Sequence, residues 1–102
     1  MIPPVDESEI RGFCERWDVI KLELFGSVQR EDFNTESDID LLVTFAEHRR
    51  PTLFLLVEMA EELGKLYGRR VDLMLRRSVE RSDNWIRREQ ILSNARPLYL
   101  KK

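Results

Sequence analysis

Asp38 and Asp40 stand one residue apart at the head of the apolar run Leu41-Leu42-Val43. Side chains alternate along a strand, so both carboxylates are expected on one face, roughly 6 to 7 Å apart, with Ile39 and Leu41 on the other. Two like charges at that range repel, and a fold that keeps them needs a cation nearby. Mg²⁺ suits the role, because it takes one or two carboxylates together with substrate phosphate oxygens. Gly26-Ser27, which ends the preceding apolar stretch, supplies the complementary half. Glycine permits a sharp turn and close backbone approach to a ligand. A short helix after it would offer free N–H groups to an anion, and Ser27 adds a hydroxyl. The two stretches together describe a phosphate cradle beside a metal site. A plainer reading, N-capping and turn formation by Ser37-Asp38, accounts for Asp38 and not for Asp40.

Asp72 is the third acid of interest. Its neighbours Val71, Leu73, Met74 and Leu75 read as a strand, where an unpaired charge is costly. If that strand lies beside residues 39–45, Asp72 shares a face with Asp38 and Asp40. The bland alternative pairs it with Arg69 or Arg70 as a surface salt bridge, which is worth little. Arg76 and Arg77, just beyond this strand, read as a solvated turn, with reach to a nucleotide or an acidic partner as the alternative. Cys14 falls on the apolar stripe of a helix and reads as core filler. His48, the sole histidine, has no Cys or His partner for a zinc site.

The spacing of these residues resembles a known signature. Gly26-Ser27, ten residues, then Asp38-x-Asp40 is similar to the motif of the nucleotidyltransferase superfamily with a DNA polymerase beta-like palm. The chain resembles in particular its minimal branch, the MntA-type antitoxins that accompany HEPN-domain toxins, from Val19 to about Tyr99. The resemblance implies that Asp38, Asp40 and Asp72 are catalytic and hold two Mg²⁺ ions, and that Gly26, Ser27 and Arg30 bind the phosphates of ATP. The family usually has glycine after that arginine; here Glu31 follows, then Asp32, so pairing of Arg30 with these acids stays open beside phosphate contact. The implied reaction is transfer of AMP from ATP to a hydroxyl, with a tyrosine of a HEPN ribonuclease toxin as acceptor and a hetero-oligomer with that toxin. Two alternatives are carried: an antitoxin that neutralises its partner by binding alone, motivated by Glu31, and an aminoglycoside-type small-molecule nucleotidyltransferase, for which no acceptor pocket is legible.

Composition narrows the field. A hydrophobic content of 42% over 102 residues suits one packed core, hence a single domain over 1–102. A net charge of -2 lacks the basic surplus of a general nucleic-acid or anionic-membrane binder, so no direct DNA binding is expected. No apolar stretch is long enough to cross a membrane and no secretory signal is legible. A single cysteine fits a reducing compartment, and the cytoplasm is expected by default.

These residues have to be held in place by regular elements. Ile10, Phe13, Cys14 and Trp17 recur at helical spacing after a cap at Asp6 or Ser8. Residues 19–25 alternate as a strand, residues 28–36 suggest a short helix and turn, and 39–45 is the most apolar strand, expected in mid-sheet. Residues 52–67 form the clearest helix, with Leu53, Leu56, Val57, Ala60, Leu63 and Tyr67 as its predicted apolar face and Gly68 as its C-cap. A third strand over 71–75, a polar stretch over 78–84, a helix from Trp85 to Leu92 and a short edge strand ending at Leu100 complete the order. No chemistry is expected of the C-terminal helix and strand. The fold class is α+β: a mixed sheet of about four strands with helices packed mainly on one face, the layout that the palm resemblance also implies.

Overall fold

The computed structural model describes residues 6–25 and 39–101. Helix α1 (Glu7–Arg16) leads into strand β1 (Val19–Phe25), followed by β2 (Ile39–Phe45), α2 (Leu53–Tyr67), β3 (Val71–Leu75), α3 (Arg76–Glu80), α4 (Trp85–Asn94) and β4 (Arg96–Leu100). The sheet is mixed and its order is β3-β2-β1-β4. β1 runs antiparallel to both β2 and β4, while β2 and β3 are parallel. A parallel pair needs a crossover, and α2 provides it. β2 therefore lies inside the sheet, as its unbroken apolar run predicts.

Local chemistry sets the element ends. The Asp6 side chain accepts the Ser8 backbone N–H at 2.9 Å and caps α1, which holds the Asp6 carboxyl below its usual range. Thr52 accepts from the Leu55 N–H at 3.1 Å and caps α2. Gly68 closes that helix with φ 67°, a left-handed conformation that glycine adopts without steric penalty. Asp18 also has positive φ, 58°, at the turn from α1 into β1. Its carbonyl accepts the Ala46 N–H at 2.9 Å and ties that turn to the end of β2.

Strand alternation divides the core into two clusters. Leu22 and Leu24 of β1, Ile39, Leu41 and Val43 of β2 and Val71 of β3 pack against Ile10, Phe13 and Cys14 of α1 and Met59, Leu63 and Tyr67 of α2. Burial of Cys14 pushes its thiol up to about 12, so it is the inert core residue its position predicts. On the opposite face, Phe25 and Leu42 meet Val79 of α3 and Ile91 of α4, with Met74 of β3 alongside. Helices thus cover mainly one face, with a smaller layer of α3 and α4 on the other.

Three readings of the sequence need correction. The apolar face of α2 is rotated: Leu53 and Val57 are 79% and 51% exposed, while Met59 is fully buried. A helix so rich in apolar residues carries two candidate stripes, and packing chose the one through Met59 and Leu63. Residues 76–80, read as turn and polar stretch, form α3. Within it Arg76 is half-buried: its guanidinium contacts Glu23, which is 3% exposed. Trp85, at the start of α4, is 62% exposed.

Candidate functional site

Asp40 and Asp72 are direct partners in the parallel register of β2 and β3. Neighbouring strands lie about 5 Å apart, so the two residues are as close as a sheet allows without crossing faces. The face they share is fixed by their neighbours. Leu42 and Met74, two residues further along each strand, belong to the cluster under α3 and α4, whereas Leu41 and Leu73 pack with α1 and α2. Both carboxylates therefore point to the α4 side. Asp40 is half-buried and Asp72 is exposed. That exposure removes the desolvation argument for a functional Asp72, because β3 is an edge strand; what singles Asp72 out is its register with Asp40.

The pair opens on a cavity of about 750 Å³ walled by Phe25, Met74, Ile91 and the polar groups of Arg87, Gln90, Asn94 and Arg96. Phe25, the residue before Gly26, stands opposite Asp40 in the β1–β2 ladder. Arg87, Gln90 and Asn94 follow one another at helical spacing on α4, beside the Ile91 that anchors this helix to the sheet. Arg96 begins β4 and pairs with Leu24. The cavity thus carries acids on its sheet floor and guanidinium and amide groups on its outer walls.

Of the residues singled out in the sequence, the structure brings Asp40 and Asp72 together. Gly26, Ser27, Arg30 and Asp38 lie outside the described residues, as does the short helix predicted over 28–36. The α4 and β4 residues were missed. Their signal, a polar stripe flanking Ile91, is ordinary for a surface helix, and only the crossing of α4 over the sheet turns it into a cavity wall. Among the described residues no three acids, histidines or cysteines gather as a metal cluster. Asp40 and Asp72 are nevertheless hard oxygen donors on one face of adjacent strands, open to a polar cavity, and that donor set fits Mg²⁺.

On the same sheet face, under α3, lies a part-buried ion pair. Arg76 Nη1 donates to Glu23 Oε1 at 2.7 Å and Oε2 at 2.8 Å, and Arg76 Nε donates to Glu80 Oε2 at 3.2 Å. Lys21 Nζ lies 3.6 Å from Glu23. Arg76 follows directly on β3, so this contact fixes the corner where the Asp72 strand turns into α3.

Comparison with known proteins identifies the family and the fold. The model of the nucleotidyltransferase domain family matches residues 8–98. Protein adenylyltransferase MntA of Thermococcus cleftensis is 39% identical over 66 residues, 65% of each chain; the match thus spans somewhat less than two thirds of that relative's length. The crystal structure of a toxin–antitoxin with AMP-PNP superposes with a TM-score of 0.71 at 22% identity, covering 96% of this chain and 76% of that one. A structure of tri-AMPylated Shewanella oneidensis HEPN toxin in complex with MNT antitoxin gives a TM-score of 0.61 at 22% identity, covering 93% and 70%. At those identities the superpositions speak for the fold. With the family model covering nearly its whole length and the acids of β2 and β3 aligned on one cavity, the chain belongs to the nucleotidyltransferase domain family.

Proposed function

We propose that this protein is an antitoxin that transfers AMP from ATP to a hydroxyl, the acceptor being a tyrosine of a HEPN ribonuclease toxin with which it assembles. The observation that carries the reading is the register of Asp40 with Asp72 on the floor of a polar cavity. Support for acceptor and partner comes from the adenylyltransferase relative and from the fold shared with an antitoxin bound to an AMPylated HEPN toxin.

In this reading Asp38, Asp40 and Asp72 hold two Mg²⁺ ions, and Gly26, Ser27 and Arg30 grip the outer phosphates. Bound Mg²⁺ supplies Lewis acidity toward the phosphate oxygens and neutralises charge on the leaving pyrophosphate. The chain's own part is positioning and charge, which is most of what phosphoryl transfer asks of a protein. In the same reading Asp72 takes the proton of the acceptor hydroxyl; its exposure on an edge strand supports that role. Asp40, half-buried between β1 and β3, holds its carboxylate toward the cavity through the ladder on both sides. Attack on the α-phosphorus forms the new ester bond, and the bond to pyrophosphate breaks in line with it.

The test is incubation of the protein with ATP, Mg²⁺ and a cognate HEPN protein, read by intact-mass spectrometry of the partner. Addition of one or more AMP units, absent with Asp40→Asn, is expected. An unmodified partner alongside the wild-type protein would defeat the reading.

A further inference from the structure

We propose that Arg87 of α4 and Arg96 of β4 add a second cationic contact to the polyphosphate of the nucleotide, beyond the one proposed for Gly26, Ser27 and Arg30, from the walls of the cavity that holds Asp40 and Asp72; the inference rests on the nucleotidyltransferase reading of that cavity. Four observations carry it. Arg87 and Arg96 both line the cavity that holds the two acids, and they reach it from separate elements. Both residues are exposed, so their guanidinium groups are accessible to a ligand that enters the cavity. Gln90, one helical turn beyond Arg87, continues the polar wall on the same side. Ile91 is 8% exposed and packs α4 against Phe25 and Leu42, which seats the helix and gives Arg87 a fixed origin.

The chemistry matches a polyphosphate better than a neutral ligand. A nucleotide tail carries several negative oxygens, and the acids on the floor repel it unless cations intervene. Guanidinium groups give planar, paired hydrogen bonds to phosphate oxygens that remain charged at any working pH. A net charge of -2 over the chain supplies no general attraction for such an anion, so local positive charge at the cavity has to draw it in.

The experiment is calorimetric titration of the full chain with ATP and, separately, adenosine, each in Mg²⁺. Wild type is compared with Arg87→Gln, Arg96→Gln and Arg87→Lys. A charge-assisted hydrogen bond contributes enough for each Gln variant to bind ATP roughly 10-fold or more weakly. Adenosine binding should stay unchanged, and Arg87→Lys should recover part of the loss. Thermal melts matching wild type establish that the variants fold. Unchanged ATP affinity in both Gln variants overturns the subsite, as does an equal loss for ATP and adenosine. Arginine-dependent ATP binding without any AMP transfer defeats the functional reading while leaving the subsite in place. AMP transfer that persists with unaltered ATP affinity in the variants does the reverse.

Discussion

Arg76, the first residue of α3, holds both carboxylate oxygens of Glu23 at 2.7 and 2.8 Å from a single guanidinium nitrogen. Glu23 sits on the central strand β1 with a side chain 4% exposed, against 24% for Arg76. Removing Arg76 leaves the buried Glu23 carboxylate with Lys21 Nζ, 3.6 Å away, in place of a two-bond guanidinium contact, and a buried charge so poorly matched is costly. Arg76→Ala should therefore destabilise the fold by about 3 kcal/mol in urea unfolding. The double variant Glu23→Leu/Arg76→Met should recover most of that loss, because a packed apolar pair avoids the desolvation penalty. A loss under about 0.5 kcal/mol for Arg76→Ala would place the pair with ordinary surface bridges.

The two acids of the site should separate activity from stability. Asp72→Asn changes an exposed residue and is expected to shift stability by less than about 0.5 kcal/mol. On the proposed function, AMP transfer should nonetheless fall by about 100-fold or more in Asp72→Asn and in Asp40→Asn, since an amide neither binds a divalent cation as well nor accepts a proton. Initial rates of labelled AMP incorporation, beside a thermal melt, check both halves. Full activity in either variant would remove that residue from the machinery.

Helix α2 offers a test of its observed rotation. Met59 is fully buried against β-strand side chains, whereas Leu53 and Val57 are 79% and 51% exposed. Met59→Ala should cost about 2 to 5 kcal/mol, while Leu53→Glu and Val57→Lys should each stay within about 0.5 kcal/mol. The opposite ranking in chemical denaturation would restore the stripe predicted from periodicity.

Glu62 gives a pH dependence with a defined sign. A hydrogen bond from Arg16 lowers its carboxyl below the ordinary 4.5; Arg16 Nη1 donates at 3.2 Å and Trp17 Nε1 adds a contact at 3.3 Å. A carboxyl with a depressed folded value stabilises the protein above its unfolded value and loses that contribution as pH falls through the folded one. Wild type should thus lose stability below pH 4.5 more steeply than Glu62→Gln, and the gap should shrink in high salt. Parallel melting curves down to pH 3 would show that the contact carries no folding free energy.

Local chemistry and tertiary packing each decided a different part of this protein. A cap at Asp6 or Ser8, the glycine stop at Gly68, the strand over 39–45 and its place inside the sheet were legible, because each depends on residue type and short-range spacing; Thr52, read as the first helical residue, caps α2 instead. The candidate acids Asp40 and Asp72 were legible as well, since charge in an apolar strand stands out. Tertiary structure alone decided that these two meet, because the register of β2 with β3 is set by the crossover through α2 and not by anything local to either strand. It also chose the buried stripe of α2, made Arg76 the partner of Glu23, and turned the polar stripe of α4 into a cavity wall. Each of those outcomes joins residues far apart in the chain, and long-range contact follows from how elements pack against a shared core, not from the spacing within any one of them.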